Sequence, residues 1–394
     1  MLKFYSRISG KTELFQAHDR SVKIFVCGPT LYDDLHLGHL RVLLATDLLR
    51  RYFEYNGLQY KIVINLTDMD LKISERAEKE KMKPEEIIER YYERVTLDIS
   101  ELLGKNITFV RPSTYIEQSI EIIENLKGKG LTYQTKNGIY CDISKSKHLG
   151  ELSRMDRETI LHTILEPDEN KRNPCDFRLW MNAGYENNKI YGTGMVGWHL
   201  QDFTVLKTLF EGVCDIHVGA KELIFPHHEF IQIIGEYYSG TYPVSRFFLH
   251  TGLLKYKGDK MSKSLGNIIY YRSIKKEFDL DAIRLYYYGL DQKRDYSFNE
   301  NLLIYNKKLV NKMLPKINRS KKGININKRI LEYKNRFIKS LENNLNSRKA
   351  IKEWIELNKF VTRKSLDEGS VELLKEAYRT FTSLTGILEG LTIE

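Results

Sequence analysis

The sequence predicts an α/β protein in which a parallel, buried β-sheet is followed by a C-terminal helical bundle. Two strand-like runs flank an apolar-periodic helix near the start of the chain, which is the pattern of a β-α-β unit. Strand-like runs resume after residue 214, and leucines and isoleucines recur at three- and four-residue spacing beyond residue 280. We therefore expect a Rossmann-type sheet, interrupted by a β/α insertion and followed by packed helices.

The composition is that of a globular protein with more than one packed unit. The chain has 394 residues, 42% of them hydrophobic, and this length exceeds one typical domain. No run approaches the roughly 18 to 20 apolar residues that span a bilayer, and residues 1–10 lack the apolar core of a secretion signal. We expect a cytoplasmic protein that does not contact membranes.

The four cysteines are far apart in the sequence and form no CxxC pair. Their spacing therefore predicts neither a disulfide framework nor a self-contained zinc knuckle, and we expect reduced thiols. They are Cys27, Cys141, Cys175 and Cys214.

The net charge of +10 comes from the C-terminal quarter of the chain. Residues 301–394 hold 20 Lys and Arg against 10 Asp and Glu, whereas residues 1–300 hold 42 of each. A basic segment beside a neutral body favours a phosphate-rich partner, because binding releases counterions. A lysine-rich, solvated helical face would give the same count.

The first β-α-β unit is read from three consecutive segments. Residues 22–26 are β-prone, Cys27-Gly28-Pro29 breaks the strand, and residues 60–65 form the second strand-like run. The helix between them is marked by Leu40, Leu43, Leu44, Leu48 and Leu49. Ligands of such sheets bind at the carboxyl ends of the strands, so we expect the functional site there.

The remaining elements divide the chain into four parts. A helix at 116–127 and short strands around 133–143 indicate the insertion, and strands at 215–218 and 247–251 resume the sheet. The expected domains are 1–102 (first half of the sheet), 103–160 (connective insertion), 161–275 (second half) and 276–394 (helical bundle). Within the bundle, the polar segment 318–327 is expected to be a flexible connection.

The motif His36-Leu37-Gly38-His39 lies where the first strand gives way to the first helix. Backbone N–H groups and the helix dipole attract phosphate at such a position. Both imidazoles could donate hydrogen bonds to a triphosphate, and the glycine allows close approach. Alone, a histidine pair beside an apolar helix is more often structural.

The motif Lys260-Met261-Ser262-Lys263-Ser264 lies between Gly258 and Gly266. Its two ammonium groups, carried by a flexible loop, could close over the β- and γ-phosphates as charge develops on pyrophosphate. Alone, this segment could be a solvated turn. The two motifs in this order, separated by an insertion, predict ATP chemistry.

At this point the chain resembles the class I aminoacyl-tRNA synthetases, whose signatures are HIGH and KMSKS, and their cysteinyl members in particular. The resemblance covers about residues 2 to 300. The segments that carry it are Cys27-Gly28-Pro29-Thr30, Tyr32-Asp33, Asn65-Leu66-Thr67-Asp68, Gly197-Trp198-His199, Asp215-Ile216-His217, residues 223–229 and Asp281-Ala282-Ile283-Arg284.

The resemblance implies an ATP-dependent ligase that activates an amino acid and transfers it to tRNA, with Mg²⁺ accompanying ATP. It assigns catalysis to His36, His39, Lys260 and Lys263, and ATP binding to these residues together with Gly28, Thr30 and Gly38. Thr67 and Trp198 match the family's amino-acid pocket, which favours a small amino acid, although Trp198 could equally be a core residue. The C-terminal helices are expected to bind tRNA.

The resemblance also implies a Zn²⁺ centre for the substrate thiolate, and here the sequence departs from the family. Where the family has Cys, Cys, His and Glu, this chain has Cys27, Asp202, His227 and Ile231. One hypothesis keeps the ion on three ligands with an open fourth position. The other has no metal, with Cys27 buried, Asp202 hydrogen-bonded locally and Ile231 in the core. Without zinc the amino acid need not be cysteine, since packing alone separates cysteine from serine poorly.

The sequence leaves further functions open. Family members carry a small mixed domain after their helices, whereas this chain stops at Glu394, so reduced anticodon recognition is expected. A ligase that joins an amino acid to a small amine without tRNA, or a paralogue with changed amino-acid specificity, would share these motifs. A non-catalytic RNA-binding homologue would not need both complete phosphate motifs. The oligomeric state has no sequence signal.

Overall fold

The computed structural model describes residues 1–17, 19–104, 106–165, 167–261, 266–313, 318–362 and 364–389, with the backbone alone for 184–187, 318–319 and 321. It contains a five-stranded parallel sheet with helices on both sides and further helices towards the end of the chain. The predicted α/β class with a Rossmann-type parallel sheet is confirmed. Among the described helices, none is both long and apolar enough to cross a bilayer.

The longest strands belong to the parallel sheet and to the insertion. In chain order the strands are β1 (Lys3–Tyr5), β2 (Thr12–Leu14), β3 (Ser21–Thr30), β4 (Gln59–Thr67), β5 (Thr108–Val110), β6 (Thr132–Thr135), β7 (Gly138–Cys141), β8 (Phe177–Asn188), β9 (Gly192–Val196), β10 (Cys214–Ala220), β11 (Ser245–Thr251), β12 (Leu254–Tyr256), β13 (Asp259–Lys260), β14 (Tyr296–Ser297), β15 (Asn318–Ile324) and β16 (Ser365–Leu366).

The helices alternate with these strands up to residue 288 and then dominate. They are α1 (Leu37–Tyr55), α2 (Leu71–Glu80), α3 (Pro84–Leu103), α4 (Ile116–Gly128), α5 (Arg157–His162), α6 (Trp198–Phe210), α7 (Glu229–Ser239), α8 (Tyr271–Ile274), α9 (Leu280–Tyr288), α10 (Glu300–Val310), α11 (Asn327–Glu342), α12 (Ser347–Val361) and α13 (Glu368–Thr385). Short helical turns cover Pro112–Tyr115, Ile143–Lys145, Lys221–Leu223 and Ile224–His228.

The parallel sheet has the order β11-β10-β3-β4-β5. Its two central strands alternate between faces: Ile24 and Ile62 pack into the core shared with α1 and the C-terminal helices, whereas Phe25 and Val63 pack into the core shared with the insertion. Burial on both faces is why each strand has a continuous apolar run in its middle, at residues 24–26 and 62–64. The four strands predicted at 22–26, 60–65, 215–218 and 247–251 are confirmed. The prediction that Cys27-Gly28-Pro29 breaks the first strand is wrong, because β3 continues to Thr30 and absorbs the turn residues as an irregularity in its register with β4.

The insertion is built around a second, antiparallel sheet with the order β6-β7-β8-β9. The predicted helix at 116–127 corresponds to α4. Strands β8 and β9, which lie after residue 160, pair with β7 and with each other. The sheet therefore draws on both sides of the boundary that the sequence suggested for the insertion.

The end of the chain is helical, as predicted, with one correction. The expected flexible connection at 318–327 is wrong for most of its length, because Asn318–Ile324 forms β15 and pairs with β16. The pairing is made by backbone groups, which a polar side-chain pattern does not reveal. The core of the helices is aromatic, with the rings of Trp354 and Phe381 5.2 Å apart.

A buried charge cluster joins α1 to the helices that follow the sheet. Asp47 in α1 is fully buried and accepts hydrogen bonds from Arg50 at 2.6 Å and Arg51 at 3.0 Å. Arg284 in α9 lies 3.5 Å from the same carboxylate and also donates to the carbonyl of Gly386 at 2.9 Å. The Asp47 carboxylate thus contacts three guanidinium groups at the junction of sheet and helices, and Glu54 and Glu389 also pair with Arg50 and Arg51.

We expect Asp47→Ala to lower the free energy of unfolding by about 3 to 5 kcal/mol, because it removes the buried carboxylate that three guanidinium groups share. Arg50 and Arg51 would keep only their partly exposed partners, Glu54 and Glu389. Urea denaturation followed by circular dichroism measures the change. The matched control is Glu332→Ala, which removes an exposed partner of Arg329 and should cost under about 1 kcal/mol. Equal effects of the two substitutions would contradict the role given to Asp47.

Candidate functional site

Two cavities open at the carboxyl ends of β3, β4 and β10. Strand β3 lies between the other two, with Cys27 opposite Asn65 on β4 and Val26 opposite Val218 on β10. The side chains that follow these positions therefore meet at one edge of the sheet, as expected for a parallel α/β fold.

The first cavity, of about 420 Å³, brings together all the residues predicted to bind an amino acid or a metal. These are Cys27, Thr67, Trp198, Asp202 and His227. The alternative that Trp198 is a core residue is wrong, because 45% of this side chain is exposed. Ile231 is fully buried in the apolar core beneath.

Three potential metal ligands converge in this cavity. The Cys27 Sγ donates to Asp202 Oδ2 at 3.2 Å, and His227 Nε2 lies 2.9 Å from the same oxygen. The three ligand atoms all lie within 4.8 Å of one another. Asn65 Nδ2 donates to the other oxygen of Asp202, so the carboxylate is held from both sides.

The protonation states of these groups differ. Burial raises the pKa of the Cys27 thiol well above its ordinary value, and the Asp202 carboxylate raises it further. Burial acts in the same direction on Asp202, but the charge of His227 and hydrogen bonds from His227 and Cys27 outweigh it and lower the pKa of the carboxyl. Asp202 is therefore ionised, and an incoming metal ion would displace the thiol proton.

The donor set fits one zinc ion. A thiolate, an imidazole and a carboxylate are all ordinary zinc ligands, and three protein ligands facing a cavity leave the fourth position to a substrate. The buried Ile231 supplies no ligand, so the fourth protein ligand of the family's site is missing in this chain. The same three groups also satisfy one another as hydrogen-bond partners, which is what the metal-free hypothesis expects of Asp202.

Behind Cys27 lies a second group of potential ligands that we did not single out from the sequence. Cys27 Sγ is 3.2 Å from His217 Nε2 and 3.2 Å from His228 Nε2, and both rings are fully buried. Their Nδ1 atoms are held by Ser245 Oγ at 3.2 Å and His250 Nε2 at 2.8 Å. This group is closed: neither histidine lines the first cavity.

The second cavity, of about 680 Å³, contains the residues predicted to bind ATP. Gly28, Thr30, His36, Gly38, His39 and Lys260 all line it. Lys263 lies outside the described residues.

The two histidines at the start of α1 hold each other in one orientation. The backbone N–H of Gly38 donates to His36 Nδ1 at 3.0 Å, and the backbone N–H of His36 donates to His39 Nδ1 at 3.1 Å. Their rings stack with centroids 3.7 Å apart. Any side chain at Gly38 would collide with this arrangement, since its Cβ would lie 2.7 Å from His36 Cε1.

This arrangement makes both histidines hydrogen-bond donors. Burial lowers the pKa of His36 to about 4 and lowers the pKa of His39 well below its ordinary value, so both rings are neutral near pH 7. Because each Nδ1 accepts a backbone hydrogen bond, the single proton of each neutral ring is on Nε2. The motif thus presents two uncharged N–H donors to the second cavity.

Lys260 forms an ion pair with Glu222, which lines both cavities. Its Nζ lies 2.6 Å from Glu222 Oε2, and the two side chains are 60% and 39% exposed. Two backbone hydrogen bonds fix the segment after its loop to the start of α1: Leu37 N–H donates to Ile269 at 2.9 Å and Tyr271 N–H donates to Leu35 at 2.8 Å. The two sequence motifs are therefore neighbours in space.

Six residues line both cavities, which therefore share a boundary. They are Cys27, Gly28, Thr30, Lys72, Glu222 and Leu223. Sequence reasoning missed Lys72 and Glu222, because a single charged residue in a helix or turn carries no motif. It did note the segments that contain His199, His217 and His228, but only as marks of resemblance.

Comparison with known proteins shows similarity to aminoacyl-tRNA synthetases. The family model described as the class I (C) tRNA synthetase catalytic domain matches residues 13–308. A cysteine–tRNA ligase of Methanococcus maripaludis is 37% identical to this chain. The alignment covers 73% of this chain and 61% of the length of that relative. The corresponding enzyme of Clostridioides difficile is 31% identical over 98% of this chain, which spans 87% of it.

The fold is also that of solved synthetases. Mycobacterium tuberculosis methionyl-tRNA synthetase, in complex with methionyl-adenylate, superposes with a TM-score of 0.70 at 14% identity. The match covers 93% of this chain and 92% of that one.

We expect Gly28→Ala to destabilise the boundary between the cavities, because its Cβ would lie 2.2 Å from the carbonyl oxygen of Asn65 on the neighbouring strand. Overpacking of this kind costs about 1 to 3 kcal/mol, measured by the shift in thermal midpoint. Gly128→Ala is the matched control, since its Cβ meets nothing within 4 Å. An unchanged midpoint for Gly28→Ala would contradict the close approach of β3 and β4.

Proposed function

The chain belongs to the class I (C) tRNA synthetase family, and on that basis we propose that it is a cytoplasmic, ATP-dependent ligase that activates cysteine and transfers it to tRNA. In the first step a carboxylate oxygen of the amino acid attacks the α-phosphorus of ATP, and the bond to the β-phosphate breaks to release pyrophosphate. In the second step a ribose hydroxyl of tRNA attacks the acyl carbon and AMP leaves.

The shared boundary of the two cavities is the observation that carries this proposal. An amino acid in the first cavity and ATP in the second would bring carboxylate and α-phosphate together near Gly28 and Thr30. Positioning two bound reactants in this way can supply about 7 to 11 kcal/mol of the barrier reduction. Thr67 and Trp198 then lie on the amino-acid side.

On the ATP side, His36 and His39 donate their Nε2–H groups to the phosphates, and Gly28, Thr30 and Gly38 line the nucleotide. Neutral donors suit this role, because they bind the triphosphate less tightly in the ground state than charged donors would. Mg²⁺ accompanies ATP and needs few protein ligands of its own.

Lys260 and Lys263 neutralise the pyrophosphate as it leaves. Lys260 must first leave Glu222, and this exchange is easy, because an ion pair between two solvent-exposed side chains is worth only about 0 to 1 kcal/mol. A triphosphate carries several negative charges and outcompetes one carboxylate. Glu222 thus acts as a resting partner that keeps the lysine beside the cavity.

Cys27, Asp202 and His227 would hold the zinc ion. When bound, zinc supplies a preference for thiolate over hydroxyl at its open position, which packing alone does not give. The protein's part is to keep three ligands convergent: Asn65 fixes Asp202, and His199 Nδ1 lies 2.9 Å from His227 Nδ1. This arrangement supports cysteine as the amino acid.

The helices of residues 276–394 are the proposed tRNA side. The excess of 10 positive charges in residues 301–394 supports this assignment, since neutralised phosphates release counterions. We assign 1–102 and 161–275 to the catalytic domain and 103–160 to the connective insertion, whose antiparallel sheet also includes β8 and β9 from the second half.

We expect the purified protein to catalyse cysteine-dependent exchange of pyrophosphate into ATP. Lys260→Ala and Lys263→Ala should each lower kcat by about 10²-fold or more, because each removes a charge that stabilises the transition state. The control is Lys276→Ala, an exposed lysine that lines neither cavity. Lack of exchange with every standard amino acid, with and without zinc, would sink the enzymatic proposal. Aminoacylation of tRNA, compared with a panel of small amines, then identifies the acceptor.

Zinc content should depend on the open ligand set. We expect one zinc per chain, measured by elemental mass spectrometry, and its loss in His227→Ala, which removes one of three ligands. His162→Ala, at an exposed position, should keep the ion. A wild-type protein that activates cysteine yet binds no zinc would contradict the metal assignment and leave ATP activation intact.

A further inference from the structure

Lys72 lies at the boundary between the two cavities. It lines both of them, and among the described residues it is the one lysine or arginine that lines the first cavity. It lies in the first turn of α2, where the Asp70 carboxylate accepts from the Lys72 backbone N–H at 2.9 Å. This cap fixes the backbone of Lys72 at the point where β4 gives way to the helix.

Two aromatic rings hold the ammonium group without neutralising it. Lys72 Nζ lies 5.7 Å from the ring centroid of Tyr32 and 5.9 Å from that of Trp198. Both separations are within the range of cation–π attraction, which orients a cation but leaves its charge and its donors available. No ion pair of Lys72 occurs among the described residues, in contrast to Lys260.

The surroundings explain why a cation is needed here. The first cavity also presents Asp70, Asp176, Asp202 and Glu222. These carboxylates suit the ammonium end of an amino acid, but they oppose the approach of its carboxylate and of a phosphate. Where two anionic groups must meet, a positive charge between them lowers the repulsion.

We propose that Lys72 binds the α-phosphate of ATP and of the aminoacyl-adenylate, and neutralises it while the carboxylate attacks. This role rests on the proposed function, because it concerns the same reaction. In the attack, one carboxylate oxygen bonds to the α-phosphorus, the bond to the β-phosphate oxygen breaks, and the electron pair leaves with pyrophosphate. Lys72 exchanges no proton: its ammonium donates to a non-bridging α-oxygen throughout.

The assignment differs from that of Lys260 in what each lysine contacts. Lys260 lines the second cavity only, where pyrophosphate would leave. Lys72, at the boundary, stays with the adenylate after pyrophosphate has left. A nucleotide with one phosphate therefore separates the two roles.

The decisive experiment compares AMP with adenosine by calorimetry on the full chain, without amino acid. Lys72→Met keeps an unbranched stem against Tyr32 and Trp198 but removes the charge. We expect it to weaken AMP binding by about tenfold or more, the loss of one charge-assisted hydrogen bond, and to leave adenosine binding unchanged. Lys72→Arg should retain most of the preference for AMP.

The matched control is Lys79→Ala, an exposed lysine on the same helix that lines neither cavity, and it should bind both ligands as the wild type does. An unchanged ratio of AMP to adenosine affinity in Lys72→Met would overturn the proposal. Pyrophosphate exchange provides the second measurement: kcat should fall about 10- to 100-fold in Lys72→Met, with a smaller change in the KM for ATP. Exchange that is absent in the wild type refutes the proposed function, whereas exchange that is unaffected by Lys72→Met refutes only the role of Lys72.

Discussion

The register of β3 between β4 and β10 is the constraint on which the site depends. With Cys27 opposite Asn65 and Val26 opposite Val218, the ends of three strands deliver their polar residues to a single edge. A shift of one residue would turn Cys27 towards the opposite face of the sheet, because side chains alternate along a strand. The apolar residues of β3, which are divided between two cores, make such a shift costly. The packing of the sheet thereby fixes the positions of the polar residues at its edge.

The second cavity depends on hydrogen bonds between backbone groups rather than on contacts between side chains. The hydrogen bonds between Leu35–Leu37 and Ile269–Tyr271 bring together segments more than 230 residues apart. They hold Ile269–Tyr271 beside the start of α1 independently of the side chains at these positions. The Tyr287 hydroxyl donates a hydrogen bond to the carbonyl of Leu37 at 2.7 Å, which also connects the start of α1 to α9.

Sequence reasoning recovered what periodicity and local motifs encode. The strands at 22–26 and 60–65 were predictable because short apolar runs suit buried parallel strands. The place of the histidine pair at the start of α1 was predictable because the change from strand to helix is visible in the sequence. Lys72 was not, because its importance comes from sharing a wall with two cavities. Nor was β15, whose partner lies about 45 residues further along the chain. Both depend on contacts between segments that no local pattern records.

The carboxylate at position 202 has a consequence for how the pocket responds to its surroundings. Asp202 receives hydrogen bonds from Cys27 and Asn65 and lies against His227, so the floor of the first cavity keeps its shape through contacts within the chain. The proposed zinc ion is therefore not needed to hold these three side chains together. Such a pocket would be ready to take up the ion without first rearranging its three ligands.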